Sequence, residues 1–154
     1  IKDAEKLTRE KYDPCCCTPL FDAIGKTVKT LKKKIADVED AAVLVTIITD
    51  GYENSSKEWD AKGVSKLIEE CKEDGWMFSF IGAGEDVVKV ATTISITNTM
   101  VWENTSEGTK KMFDEENEAR ERYCMEYNSL IDPCMSVSEK KVTRKKLSAK
   151  YYKK

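Results

Sequence analysis

The run "AAVLVTIIT" at residues 41–49, followed by "DGYENSS" at residues 50–56, decides the fold of this chain. Aliphatic and β-branched residues fill almost every position of the first run, which is the pattern of a strand buried on both faces of a parallel sheet. Polar residues and a glycine follow at once, so Asp50 is expected at the carboxyl end of the strand, where open α/β sheets bind ligands. The stretch therefore predicts a parallel α/β sheet with a candidate site at Asp50.

An amphipathic helix is predicted before this strand. From Leu20 to Ile35 the apolar residues recur at spacings of three and four, while lysines face the other way. We expect Thr18 to cap the amino terminus of this helix and Pro19 to take its first position, where a missing N–H costs nothing.

The rest of the chain alternates strands with helices. The pattern predicts a helix at about 60–73, a buried strand and loop at 76–84, a short helix at 85–93, a strand at 100–103 and a long charged helix at 106–130. For the long helix the expected inner face consists of Met112, Phe113, Tyr123, Tyr127 and Leu130. The predicted fold class is α/β, with a mainly parallel sheet flanked by helices.

Length and charge suggest one α/β domain at residues 1–132 and a basic C-terminal tail at 133–154, divided near Pro133. Residues 139–154 hold eight of the 26 basic residues and one of the 28 acids, which leaves 18 basic against 27 acidic residues in 1–138. We expect the tail to be a solvated, frayed terminus; binding of nucleic acid or an anionic surface is the less favoured alternative.

Neither a membrane-spanning run nor a secretion signal is recognisable, so we expect a soluble, cytoplasmic protein that does not contact membranes. Because the sequence starts at Ile1 instead of methionine, it is compatible with an excised piece of a longer chain. The chain has no histidine, which excludes serine–histidine and cysteine–histidine nucleophiles within it and any histidine-ligated metal.

Two further motifs have plain structural explanations. Cys15, Cys16 and Cys17 are too close together to surround one tetrahedral zinc ion, so we expect free, reduced cysteines; redox, metal or cysteine-based enzymatic chemistry is the less favoured alternative. "IGAGEDV" at 81–87 has Val87 where a dinucleotide-binding loop has its third glycine, which favours a tight turn.

Thr18 and Asp50 carry the strongest functional signal. Both supply hard oxygen atoms of the kind that bind Mg²⁺, Ca²⁺ or Mn²⁺. Taken alone, however, they are ordinary capping and turn residues.

Three segments, read together, resemble the second half of a bacterial von Willebrand factor A domain: "CTPLFDAIGKTVKTL" at 17–31, "LVTIITDGYENSSKEWDAKGVSKLIEE" at 44–70 and "GWMFSFIGAGED" at 75–86. The agreement runs from about Ile1 to Phe113. The resemblance implies a doubly wound α/β fold with a metal-ion-dependent adhesion site that holds Mg²⁺ or a similar ion. It also implies that Thr18 and Asp50 are metal ligands and that an acidic group of a partner protein completes the coordination.

The chain also departs from that family. It contains no Asp-x-Ser-x-Ser motif, so two of the five usual ligand positions are present, and the ion should bind weakly. The family's first three strands would precede Ile1. Because one of them would lie beside residues 41–49, this strand should be an uncovered edge to which a second copy or another polypeptide could pair.

These observations lead to two functional hypotheses. The first is a non-enzymatic protein-interaction module with an incomplete metal-ion-dependent adhesion site. The alternative is a metal-independent structural or assembly protein that associates through its exposed sheet edge or its long charged helix.

Overall fold

A computed structural model of the chain describes residues 5–6, 8–11, 17–84 and 86–153. Its helices and strands are α1 (Leu20–Lys34), β1 (Leu44–Thr49), α2 (Ala61–Glu73), β2 (Met77–Ala83), α3 (Val87–Thr93), β3 (Asn98–Trp102), α4 (Ser106–Leu130) and α5 (Val137–Ser148). The strands form one parallel sheet in the order β1-β2-β3. The predicted α/β class is thereby confirmed, since helices cover both faces of a parallel sheet in a Rossmann-like arrangement.

One face of the sheet packs against α1, α2 and α3 in the main hydrophobic core. The buried residues that the helices and the two longer strands contribute to it include Ile24, Val28, Ile47, Val64, Ile68, Phe78, Phe80 and Ala91. Strand β2 lies at the centre of the sheet, and its first six residues are all buried. The central position therefore explains why residues 77–83, more than residues 41–49, behave as a strand covered on both faces.

Strand β1 lies at the edge of the sheet, which corrects the prediction that residues 41–49 are buried on both faces. Val43 and Ile47 are buried, but most of the strand is half-buried and the Ile48 side chain is 45% exposed. In the part of the chain that the structure describes, β1 pairs with β2 alone. The expected uncovered strand edge is thus present in this structure.

Helices α4 and α5 cover the second face. Met77 from β2 packs there with Ala119 and Tyr123 of α4, and with Leu147 and Tyr151 from the C-terminal segment. Packing of α5 in this layer contradicts the prediction of a solvated, frayed terminus. The boundary near Pro133 stays a prediction, and it falls in the short connection between α4 and α5.

Helix α5 is held against the rest of the chain because it carries a buried arginine as well as lysines that pair with acids outside the helix. Arg144 is 1% exposed, and its guanidinium donates to Asp40 Oδ1 at 2.7 Å and to the Tyr127 hydroxyl at 2.9 Å. A capping box joins Ser136 and Glu139 at the start of the helix. Three lysines of the same helix pair with acids of the body in the bridges Lys140–Asp40, Lys141–Asp74 and Lys145–Glu73.

The inner face of α4 differs in part from the prediction. Met112 and Tyr123 are buried, whereas Phe113 and Leu130 are 49% and 55% exposed. A carboxylate lies in the buried row instead: Glu116, 2% exposed. It accepts hydrogen bonds from the hydroxyls of Thr46 (2.7 Å), Tyr151 (3.0 Å) and Tyr152 (2.6 Å), and from Arg120 (3.1 Å). The face of the sheet that α4 covers therefore has a polar centre, which hydrophobic periodicity does not reveal.

Within the segment "IGAGEDV", residues 81–83 end β2 and Val87 begins α3. Gly84 has φ of +94°, a left-handed conformation that glycine adopts without strain. This geometry fits the expected tight turn. No helix in the described part of the chain is both long and apolar enough to cross a membrane.

Candidate metal-binding loop at the end of strand β1

The loop after β1 is fixed to the amino terminus of α1 by the carboxylate of Glu53. One oxygen of Glu53 accepts hydrogen bonds from the backbone N–H groups of Ser55 (2.9 Å) and Ser56 (2.7 Å). The other accepts from the Ser56 hydroxyl (2.7 Å) and from the N–H of Phe21 in the first turn of α1 (2.8 Å). A single side chain thus orders its own loop and caps a helix that lies more than 30 residues away in the sequence.

The charged form of Glu53 is strongly favoured by these bonds. Burial of this half-buried group raises its pKa, but hydrogen bonds from Ser56, Phe21 and Ser55 outweigh burial and lower the pKa to about 2. Glu53 is therefore a carboxylate under all ordinary conditions, and its negative charge lies at the positive end of the α1 dipole.

A second carboxylate, this one on α1, accepts hydrogen bonds from the loop and so connects the same two segments. Asp22, in the first turn of α1, accepts hydrogen bonds from the N–H groups of Lys57 (3.1 Å), Glu58 (2.9 Å) and Trp59 (2.9 Å). The hydrogen bond from Lys57 is the main cause of a lowered pKa for Asp22. The loop between β1 and α2 is thus held at two backbone N–H groups by Glu53 and at three by Asp22.

Thr18 does not cap α1, contrary to the prediction. The helix starts at Leu20, and the capping position is held by Pro19, which makes no side-chain hydrogen bond. The second and third N–H groups of the helix are satisfied from the loop, by Glu53 and by the Ser56 hydroxyl, which accepts from Asp22 N at 3.0 Å. Since the loop does the capping, the Thr18 hydroxyl is not needed for it.

Thr18 is instead placed against the turn that follows β1. Its N–H donates to Asn54 Oδ1 at 2.7 Å, and its carbonyl accepts from Asn54 N at 3.3 Å. A Cβ atom at Gly51 would come within 2.8 Å of Thr18 Oγ1. The absence of a side chain at Gly51 therefore leaves the room that the threonine hydroxyl occupies, and it brings this hydroxyl next to the residue that follows Asp50.

The turn itself is closed by Thr49. Its hydroxyl donates to the carbonyl of Gly51 at 3.0 Å and accepts from Gly51 N at 3.2 Å. Asp50, between these two residues, is exposed to solvent at the carboxyl end of β1. The two residues singled out from the sequence, Thr18 and Asp50, are thus brought to the same turn by contacts that the sequence reasoning did not foresee.

A shallow cleft lies beside the turn, between the ends of β1 and β2. Asp50, Gly51, Tyr52 and Asp86 are among the residues that line it. Asp86 is paired with Lys89 at 2.7 Å, and this hydrogen bond lowers the pKa of Asp86. Because Asp86 already has a cationic partner, Asp50 is the carboxylate of this cleft that is better able to accept a ligand.

The donor set agrees with a partial site for a hard divalent cation. The Thr18 hydroxyl and the solvent-facing Asp50 carboxylate are hard oxygen groups of the kind that such a cation prefers, and Gly51 lets the hydroxyl approach the turn closely. Among the described residues, no group of three or more histidine, cysteine, aspartate or glutamate side chains is arranged to hold a metal. Thr18 and Asp50 would therefore hold an ion only together with water or with ligands from elsewhere.

Sequence reasoning missed the residues that build the loop. Glu53, Asn54, Ser56 and Asp22 are not singled out by the sequence pattern, yet each makes a cross-segment hydrogen bond. The signal available was the run "ENSS", because a carboxylate followed by small polar residues can accept from its own downstream N–H groups. The partner across the loop was not visible, since it lies more than 30 residues away.

The cysteines offer no competing site in the described part of the chain. Cys17, Cys71, Cys124 and Cys134 are all free thiols, which fits the expected reduced state. Cys71 is buried, and burial raises the pKa of its thiol to about 11, so it is a poor nucleophile. Cys15 and Cys16 lie outside the described residues.

Comparison of the chain with protein-family models, with curated proteins and with solved structures found no match.

Proposed function

We propose that this chain is a non-enzymatic protein-interaction module that acts through the turn at the end of β1. In this proposal Thr18 and Asp50 are two oxygen ligands of a divalent cation, Mg²⁺ or alternatively Mn²⁺ or Ca²⁺. The remaining coordination positions are filled by water and by an acidic group of a partner protein. This arrangement corresponds to the carboxyl half of a domain resembling von Willebrand factor A.

The observation that carries the proposal is the approach of the Thr18 hydroxyl to Gly51. A Cβ atom at Gly51 would lie only 2.8 Å from this hydroxyl, so the glycine lets the hydroxyl sit beside the exposed Asp50. Capping of α1 does not require this placement. The capping work in this region is done by Glu53 and Ser56. Among the described residues, the Thr18 hydroxyl and the Asp50 carboxylate make no hydrogen bond, although the Thr18 backbone is bonded to Asn54. Both side-chain oxygens are thus available to a ligand, which favours a ligand role for both.

A bound cation would supply positive charge beside Asp50, and an acidic partner group would then be attracted to it. The chain's own residues position the two ligands. Glu53 and Asp22 fix the loop, so little ordering of the backbone is needed when a ligand binds. A role in catalysis is not proposed, because the site offers neither a histidine nor another group poised as a base.

The test is a calorimetric titration of the chain with Mg²⁺ and with Mn²⁺. With two protein ligands we expect dissociation constants on the order of 10⁻⁴–10⁻³ M, as for weak oxygen sites. The double variant Thr18→Val, Asp50→Ala should weaken binding at least about tenfold, because it removes the hydroxyl and the carboxylate and keeps the shape at Thr18.

The matched control is Thr27→Val, Asp37→Ala, which removes a hydroxyl and a carboxylate at exposed positions away from the turn. Its binding should equal that of the unmodified chain. Equal heats from both double variants, or no binding up to about 10 mM cation, would contradict the metal-dependent proposal.

One observation favours a second candidate function, a metal-independent assembly role. Strand β1 is an edge strand with an apolar sequence, and Ile48 on it is 45% exposed. An edge of this kind pairs readily with another strand. Under this second proposal the chain associates through β1, and chelation of divalent ions leaves the association unchanged.

A further inference from the structure

We propose that two copies of this chain pair through their β1 strands, antiparallel about a two-fold axis that passes beside Thr46. The product is a continuous six-stranded sheet in the order β3-β2-β1-β1-β2-β3. The inference rests on the second proposed function, association through the sheet edge, and it names the partner and the register.

The backbone of β1 has three residues whose hydrogen-bonding groups face away from β2. Val43 accepts from Met77 N at 2.9 Å, so the groups of Val43 point towards β2. Since this direction alternates along a strand, Val45 and Ile47 also point towards β2, and the N–H and C=O groups of Leu44, Thr46 and Ile48 point outwards. Within the described residues these outward groups have no neighbouring strand.

The side chains of β1 are symmetric in character about Thr46. In an antiparallel pair centred on this residue, Leu44 lies opposite Ile48 of the second copy, Val45 lies opposite Ile47, and Thr46 lies opposite Thr46. Aliphatic pairs and a threonine pair are all favourable across strands. The outward-facing residues also meet one another in this register, so the two strands can exchange six backbone hydrogen bonds.

Other registers of the same pair are worse. A shift by one residue places outward-facing backbone groups opposite inward-facing ones, so the hydrogen bonds are lost. A shift by two places Thr46 opposite Leu44 or Ile48 and shortens the paired length. The sequence of β1 therefore selects the register with Thr46 at the axis.

The surroundings of the axis are compatible with this pairing. The Thr46 hydroxyl contacts Glu116 at 2.7 Å, and Glu116 is paired with Arg120 at 3.1 Å. Each copy thus brings one carboxylate and one guanidinium to the junction, which is neutral in total. The exposed 45% of Ile48 would be covered in the pair, and burial of its apolar surface adds to the backbone bonds.

The opposite edge of the sheet is a poorer candidate and provides a control. Strand β3 reads "NTMVW", and an antiparallel pair centred on Met100 would place Asn98 opposite Trp102 and Thr99 opposite Val101. These pairs are mismatched in polarity. Val101 is 54% exposed, close to the exposure of Ile48, so a lysine at either position tests one edge against the other with a comparable change.

The experiment is sedimentation equilibrium of the purified chain in the presence of a chelator, from about 1 μM to about 1 mM. We expect the mass to double with concentration. Ile48→Lys should raise the dissociation constant of the dimer about 100-fold, because the substitution occurs twice per dimer and each copy costs about tenfold. Val101→Lys should leave the dissociation constant unchanged. Circular dichroism at low concentration checks that both variants fold.

Hydrogen exchange of individual amides tests the register. On dimerisation the amides of Leu44, Thr46 and Ile48 should gain at least tenfold protection, whereas those of Val45 and Ile47, already bonded to β2, should change little. If the mass doubles but the amide protection does not alternate along β1, or if Val101→Lys weakens the dimer instead, the proposed β1 pairing is wrong. The chain would then still self-associate, but through another surface. A monomer at all concentrations would refute self-association, and the cation titration remains a separate measurement.

Discussion

The hydrogen bonds to Glu53 predict a specific acid dependence of stability. In the folded protein the pKa of Glu53 falls from its usual 4.5 to about 2. A difference of about 2.5 pKa units corresponds to roughly 3 kcal/mol, at about 1.36 kcal/mol per unit. Because the folded pKa lies below the unfolded one, this stabilisation is present above about pH 4.5 and is lost as the pH falls towards about 2.

The expected effect is smaller than that upper figure, because Glu53 is half-buried and solvent screens part of the interaction. We therefore predict that Glu53→Gln lowers the free energy of unfolding by about 2 kcal/mol at pH 7. An amide keeps one accepting oxygen, but its NH₂ group would face the N–H of Phe21 or the N–H groups of Ser55 and Ser56.

The assay is urea unfolding followed by circular dichroism at pH 7 and at pH 3. The unmodified chain should lose more stability between these conditions than the Glu53→Gln variant does. Glu58→Gln is the control, since Glu58 lies in the same loop but is 62% exposed in its bridge to Lys26. A Glu53→Gln variant within about 0.5 kcal/mol of the unmodified chain at pH 7, or with the same loss at pH 3, would refute the reasoning.

Three further substitutions test other parts of the structure, each by the midpoint of urea unfolding. Gly25→Ala should destabilise by about 1–3 kcal/mol, although alanine favours helices, because its Cβ would overlap the Trp59 indole; a gain in stability would contradict this packing. Arg144→Met should cost about 2–4 kcal/mol by leaving Asp40 without its buried partner, and an unchanged midpoint would show that α5 does not depend on that pair. Tyr152→Phe should cost about 1–2 kcal/mol, because it removes one hydroxyl donor from the buried carboxylate of α4, and a neutral effect would show that the remaining donors suffice.

Much of the fold can be predicted from local sequence pattern, whereas contacts between residues far apart in the sequence cannot. The limits of α4 at residues 106 and 130 agree with the prediction; Thr105 caps the start of the helix, and Pro133 follows shortly after its end. The burial of Glu116 was missed, since its donors come from residue 46 and from residues 151 and 152. A charged residue in a helix is assigned to solvent by periodicity unless its distant partners are known.

The candidate site divides in the same way. Asp50 was placed correctly at the end of β1, because a buried run followed by "DG" defines a strand end. The capping role expected for Thr18 was wrong, since Glu53 and Ser56 satisfy the first turn of α1 from another segment. Whether Thr18 and Asp50 bind a cation stays a prediction that the titration tests.

The contact between Arg144 and Asp40 also has a consequence for the order of folding. It joins residues 104 positions apart in the chain, and it attaches α5 to the segment just before β1. During synthesis, β1, β2 and β3 are complete before α5 leaves the ribosome. The face of the sheet that α4 and α5 cover is therefore only partly covered during this interval. Such long-range closure is slow, and the apolar strands are exposed to wrong partners during this interval. We therefore expect the nascent chain to be a substrate for chaperones until α5 has docked.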